Sequence, residues 1–317
     1  LKALNKAQPR EAGRRRGLGF SMRRREAIDA YVFMMPAILG MIIFLLGPMV
    51  ISLYLSFTEY DLLGSGEWIG LQNYRDLFAD PLFWKSLRVS AIYSVVSVPA
   101  QLVLALLLAI LLNQKLRGVY VFRAMFYLPT VISGVGVAML WRWMFNPEFG
   151  VINNLLAKIG INGPGWLSSE EWALPALIIT SLWGIGGTML IYLAGLQGIP
   201  QELYEAAEID GAGVMGRFRF ITLPLISHVT FFNLVLGIIG ALQVFTEAFV
   251  MTGGGPNNAT LFLAVYLYRN AFNYLKMGYA SAVAWVMFSI VMVLTLLVFK
   301  SSPFWTFYND ETQRSKQ

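Results

Sequence analysis

Residues 31–57 contain no charged side chain, a longer run than the roughly 20 apolar residues that carry an α-helix across the hydrocarbon core of a bilayer. Five more apolar runs follow, near residues 89–112, 124–145, 172–193, 225–251 and 277–299, with Arg142 interrupting the second of these and Glu247 lying in the fourth. Hydrocarbon offers no partner for backbone N–H and C=O groups, so segments this long and apolar must satisfy their own, and a helix does so. The expected fold class is all-α, an integral membrane bundle of six transmembrane helices with a cytoplasmic helical loop. The balance of 57% hydrophobic to 13% charged residues agrees, since soluble domains average about 25% charged.

Three regions result. Residues 1–30 form a basic arm carrying arginine runs at 14–16 and 23–25, expected to be mobile. Residues 31–300 hold the six spans, and residues 301–317 form a tail. Under a cytoplasmic arm, the Lys and Arg residues divide as nine in the arm, three in the 113–123 link, two in the 194–224 loop and three from Lys300 onward, or 17 of 24. The positive-inside rule therefore places both termini and the 194–224 loop in the cytoplasm. The net charge of +6 sits mostly in the arm, which suits a lipid surface and not nucleic acid. The chain has no cysteine and one histidine, His228, which excludes thiolate metal sites, disulfides and histidine clusters.

The 194–224 loop is long and polar for a chain this apolar, and residues 205–224 read EAAEIDGAGVMGRFRFITLP. Gly211 to Gly216 match G-x-G-x-x-G, but a dinucleotide site requires a preceding strand, and Arg217–Phe218 stand where a P-loop has Lys and then Ser or Thr. Nucleotide binding by this chain is not expected. Pro200 can open a helix, Glu202, Glu205 and Glu208 would favour its positive end, and Gly211 with Gly213 would close it. From charge alone the loop could equally be a solvated helix pair.

The spacing E-A-A, three residues, Gly, nine residues, I-x-L-P resembles the cytoplasmic coupling loop of permease subunits in bacterial ATP-binding-cassette importers, and every fixed position is present. The resemblance implies that Glu205, Ala206, Ala207, Asp210 and Gly211 dock on a separate ATPase subunit. TGGGP at residues 252–256, YLYRNAF at 266–272, GLQNYRDLF near Leu71 and LWRWMFNPEFG near Leu140 resemble the carbohydrate-importing subgroup, on the side of the maltose permease's larger subunit. It differs from that subunit in lacking two extra leading spans and a large periplasmic insertion. The resemblance implies a homologous second permease, two cytoplasmic ATPases that use ATP and magnesium, and an extracytoplasmic sugar-binding protein. No catalysis and no cofactor are expected in this chain, and its place would be the bacterial inner membrane.

Polar residues within the spans are candidates for a substrate path, because a polar group facing lipid is costly. On a continuous fifth span Gly240, Gln243 and Glu247 would share one face. The fourth span offers Trp183, Gly184, Gly187 and Thr188, where an aromatic could stack on sugar, although glycines serve helix packing equally well. Related permeases bind sugar with residues of these two spans, which adds Phe245 to Trp183 and Gln243. Arg142 can snorkel to the interface, and His228 reads as interfacial. Glycerol-phosphate or another polyol ester is the alternative substrate. An ion-coupled secondary transporter is the alternative class, but it would call for ionisable relays or repeated half-helices near the midplane, and a membrane-embedded enzyme would need a convergent catalytic set.

Overall fold

The computed structural model describes residues 19–307 apart from 62, 63, 65, 115 and 116. The arginine run at 14–16, Lys115 of the basic link and the tail beyond 307 lie outside the described residues. The chain divides into two units at Tyr54 and Leu55.

The first unit holds α1 (Gly19–Met41), a π-helical turn (Ile42–Leu46) and most of α2 (Gly47–Leu55). From Arg24 to Leu55 this helical run is long and apolar enough to cross a membrane. The arm was expected to be mobile to residue 30, yet helix is present from Gly19. No Gly or Pro interrupts residues 20–35, and the Arg, Met, Ala and Glu residues there are strong helix formers.

The second unit opens with a two-residue antiparallel ribbon, β1 (Thr58–Glu59) against β2 (Glu67–Trp68), and α3 (Gln72–Ala79). There follow α4 (Pro81–Leu112), α5 (Val119–Val131), α6 (Gly134–Met144), α7 (Val151–Lys158), α8 (Glu170–Trp183) and α9 (Gly186–Gln197). Three short elements come next, α10 (Gln201–Ile209), α11 (Val214–Arg217) and α12 (Leu223–Leu225), with a π-helical turn at Phe218–Thr222. The unit ends with α13 (Ser227–Leu242), α14 (Thr246–Met251), α15 (Leu263–Tyr268) and α16 (Met277–Ser301). Four described helical runs can span a membrane, and the bent pairs α5/α6 and α8/α9 bring the total to six when each is counted as one span.

Four spans differ from the expectation. The third is no straight rod: α5 ends two residues after Pro129, Ile132 is extended, and α6 leaves at 100°. Proline removes a helical hydrogen bond, and Gly134 and Gly136 follow. The fourth bends by 45° at Gly184–Ile185. The fifth breaks at residues 243–245, so Gln243 caps α13 and does not share a continuous face with Glu247. The second span, expected from residue 89, starts at Pro81 because Asp80 caps it: its Oδ1 accepts from Leu82 N at 2.8 Å, with proline in the first turn. At the other end of α4, Arg123 donates to Leu112 O through Nη2 at 2.7 Å.

Asp80 also accepts from the Tyr266 hydroxyl. Burial, reinforced by that carboxylate, pushes the Tyr266 pKa above the ordinary phenol value of 10.0, so at neutral pH Tyr266 is a proton donor that ties α15 to the start of α4.

Lipid tails are as apolar as leucine, so helix association here depends on close packing. Ala105 and Ala109 of α4 are fully buried in a cluster with Met189, Tyr192 and Leu196 of α9 and Ile226 and Val229 near the start of α13. A Cβ on Gly195 would sit 2.6 Å from Val229 Cγ2. A Cβ on Gly186 would run into Phe126 O and lie 2.8 Å from Tyr127 Cα. The second cluster joins Phe83, Tyr93 and Val98 of α4 to Ala138, Trp141 and Phe145 and to Phe262 and Val265.

Candidate functional site

The segment between α9 and α13 is a helix, a tight turn and a second short helix. Helix α10 ends in a paired hydrogen-bond closure: Ala212 N reaches Ala207 O at 2.8 Å and Gly211 N reaches Glu208 O at 3.0 Å, with Gly211 at φ +79°. That is the Schellman arrangement, which requires a left-handed residue at the position Gly211 holds. Gly213 has an ordinary negative φ of −69° and starts α11, so Gly211 alone carries the turn. Glu202 lies in the first turn of α10 as expected, but Glu208 lies in the last, where the helix dipole disfavours it. It pairs there with Arg217 of α11 at 3.2 Å. A pair this exposed contributes at most about 1 kcal/mol. The Tyr204 and Thr222 hydroxyls, 3.0 Å apart, tie α10 to the π-helical turn.

Glu205, Ala206, Asp210 and Gly211 are exposed and Ala207 is half-buried. Around them stand Ile209, Val214, Met215 and Phe220, each at least 73% exposed. Large apolar side chains exposed together on a polar loop are the kind of surface that interaction sites display. Sequence reading passed over these four, because the loop's charges and glycines dominate its composition. The signal was present as large apolar residues in a segment too short to own a core.

Two of the cavities among the described helices hold residues expected along a path. The outer one, farther from the α10 loop and about 240 Å³, is lined by Tyr93, Thr180, Ser181, Trp183, Gly184, Val244 and Glu247 together with the α5/α6 break at Ile132 and Gly134. The inner one, about 270 Å³, is lined by residues of α4, α9 and α13 that include Thr188 and Gly240. Irregular backbone at membrane depth is tolerated where it lines a cavity, and the α5/α6 break does so. Glu247 Oε1 lies 3.8 Å from where a Cβ on Gly134 would be, beside the first residue of α6. The positive end of that helix favours the carboxylate.

Residues 101–301 match the family model described as the inner membrane component of binding-protein-dependent transport systems. The chain belongs to this family. This permease is 44% identical over 295 residues to the probable ABC transporter permease protein YesP of Bacillus subtilis, covering 92% of this chain and 95% of that one. It is 39% identical to the lactose transport system permease protein LacF of Rhizobium radiobacter, covering 88% and 95%. The crystal structure of a bacterial alginate ABC transporter, in complex with an alginate pentasaccharide-bound periplasmic protein, superposes with a TM-score of 0.79 at 26% identity, covering 90% of this permease and 96% of that chain.

Of the residues expected along a path, the structure brings Trp183 and Glu247 to the outer cavity and Thr188 to the inner. Gln243 is exposed at the break between α13 and α14, outside both walls. Gly187 is half-buried with nothing within 4 Å of a would-be Cβ. Phe245 stacks on Phe249 at 5.1 Å and packs against Tyr268, so it belongs to an aromatic cluster and lines neither cavity. Sequence reading split Gly184 and Gly187 between packing and path. The close-packed glycine is Gly186, between them. Arg142 is exposed, its Nη1 3.4 Å from Val250 O, and His228 is exposed on the first turn of α13.

The TGGGP segment is pinned by Arg269, which donates to Asn258 Oδ1 at 2.8 Å and to Gly253 O. Thr252 and Thr260 share a hydrogen bond of 2.7 Å across it.

Proposed function

We propose that this permease is one half of the translocation path of an ATP-driven carbohydrate importer. A homologous second permease supplies the other half, an extracytoplasmic binding protein delivers the sugar, and two ATPase subunits that hold the ATP and magnesium dock on the α10 loops. Both termini and the α10 loop face the cytoplasm across the bacterial inner membrane. The observation that carries this reading is the apolar surface of Ile209, Val214, Met215 and Phe220, displayed around the Glu205–Gly211 turn and fixed by the Schellman closure. A merely solvated connection would have no use for four apolar side chains held in water. The likeness to LacF and to the alginate transporter supports carbohydrate as cargo.

In this reading Glu205, Ala206, Ala207, Asp210 and Gly211 enter a cleft on the ATPase. Closure of the ATPase pair moves α10 as a rigid body, and the cavities alternate their access. The permease itself hydrolyses nothing. Co-expression with its ATPase and partner permease, followed by affinity capture, tests the docking surface. Met215→Asp with Phe220→Asp should abolish capture of the ATPase while the permease pair still assembles. Undiminished capture would remove the docking assignment.

A further inference from the structure

We infer that residues 302–307, which follow α16, clasp the α10 loop to the far end of the chain, with Ser227 and Trp305 as the residues that position it. This rests on the docking reading above and carries it inward, to how a docked loop is joined to a helix that is remote from it in the chain.

One hydroxyl makes the join. Ser227 Oγ donates to Pro224 O at 2.6 Å and accepts from Phe307 N at 2.9 Å, which engages the single donor of a serine and one of its two lone pairs. Pro224 is the last fixed position of the pattern that begins at Glu205, so one buried side chain bonds the end of the loop to backbone 80 residues later. Phe231 stands four residues beyond Ser227 and therefore on the same face of α13. It packs against the Trp305 ring at 6.0 Å and meets Phe299 of α16 edge-on at 4.9 Å. Trp305 Nε1 donates to Ser301 Oγ at 3.2 Å, which fixes the indole to the end of its own helix.

The local sequence builds this geometry. After Ser301 the α-helix gives way to a 3₁₀ turn, Ser302–Phe304, with Pro303 in it, and Thr306 N closes on Ser302 O at 2.8 Å. The turn leaves Trp305 and Phe307 facing α13 at two points, one aromatic and one polar.

The loop needs such an anchor. Helix α12 buries none of its three residues, so packing does not fix its direction, whereas hydrogen bonds do. The Tyr204 and Thr222 hydroxyls tie α10 to the turn before α12, Ile226 N returns to Thr222 O at 3.0 Å, and Ser227 holds Pro224. These bonds run from α10 to Ser227 and on to Phe307, so a displacement of α10 reaches α16 through the clasp without first passing along α13. A segment that only shielded apolar surface would need the Trp305 contact but not the hydroxyl shared between Phe307 and Pro224.

The test uses the full transporter in liposomes, with partner subunits from which cysteine has been removed. The permease has no cysteine of its own, so spin labels go on introduced cysteines at the exposed positions Gln201, Lys300 and Asn162. Electron paramagnetic resonance reads their separations before and after trapping with ATP and vanadate. With no other substitution, the Gln201–Lys300 separation should hold to within about 2 Å, the scale of a helix shift, while the Gln201–Asn162 separation changes by more than that. With Ser227→Ala and Trp305→Ala together, the Gln201–Lys300 separation should change on trapping as well, while affinity for the ATPase stays within about twofold of wild type. Ser227→Thr with Trp305→Phe, which keeps a hydroxyl and a ring, should restore the fixed separation. A Gln201–Lys300 separation that changes without the clasp substitutions overturns the clasp, and that arm needs no altered clasp to fold. So does a separation that stays fixed in the double Ala variant, or a loss of ATPase affinity there, which would make the segment part of the ATPase contact surface. In each of these cases the docking reading stands. An unchanging Gln201–Asn162 separation would overturn the movement of the docked loop, and the clasp with it.

Discussion

Gly211 and Gly213 are two residues apart, both exposed, and neither has an atom within 4 Å of a would-be Cβ. They differ in backbone: Gly211 has φ +79° and Gly213 has φ −69°. Adding a side chain therefore meets no neighbour at either site, and conformational cost alone separates them. For a residue with a Cβ the left-handed region costs about 1–2 kcal/mol, and β-branching makes it worse. Gly211→Val should relieve that cost by opening the Schellman closure and misplacing Glu205–Ala207, which lowers affinity for the ATPase by about 5–30-fold at 1.4 kcal/mol per factor of ten. Gly213→Val, in extended backbone that valine accepts, should stay within about twofold. Gly211→Asn is the sharper control, since asparagine is close to valine in size but tolerates φ > 0, and it should recover most of the loss. The assay is ATPase binding to the reconstituted permease pair by surface plasmon resonance, with sugar uptake measured in parallel. If Gly211→Asn is as impaired as Gly211→Val, or Gly213→Val matches them, backbone conformation is not what the turn contributes and the reasoning fails.

Gly186→Ala forces a methyl against the backbone of α5, which no rotamer can relieve, and should destabilise the permease by about 1–3 kcal/mol. Gly187→Ala, in open space, should lie within about 0.5 kcal/mol of wild type; thermal unfolding in detergent compares the two, and equal melting would refute the packing. Gln243→Leu should reduce sugar uptake without loss of assembly, since its exposed side chain is available to a path shared with a second permease. Unchanged transport of every accepted sugar would remove Gln243 from the path. The absence of native cysteine gives a clean background for topology, so cysteines at Asn162 and Asn257 should react with an impermeant thiol reagent outside sealed cells and one at Gln201 should not. Labelling of all three from outside would reverse the orientation of the α10 loop.

Apolar run length was enough to locate the four long helical runs and the two bent pairs that make six spans when each pair is counted as one, because the bilayer requirement is insensitive to detail. The breaks were not legible, and two prolines show why. Pro99 sits inside α4 without ending it, whereas α5 stops two residues after Pro129 and the chain turns through 100°. A proline's local cost is the same at both places, so the outcome depends on whether neighbouring elements satisfy the freed backbone, which the sequence does not display. The spacing of the Glu205–Pro224 pattern located the turn proposed for docking, but not the apolar residues around it, since exposure of Ile209 or Phe220 is a property of the folded loop. Trp183, Thr188 and Glu247 reach cavities, whereas Phe245 falls on the break after α13 and turns into an aromatic cluster.

Helix α10 follows α9 in the chain by three residues and is joined to α13 through α11, the π-helical turn and α12. Neither neighbour runs the whole length of its span: α9 meets α8 at a bend, and α13 meets α14 at a break. The spans that flank the proposed docking loop are therefore articulated along their length, while α4 runs unbroken beside both like a mast. Force applied at the α10 end reaches the inner pieces first, and the joints at Gly184–Ile185 and residues 243–245 determine how much passes on. In the proposed importer, a transporter hinged in this way opens the half beside the α10 loop without dragging the other half along, so a sugar need never see a continuous channel.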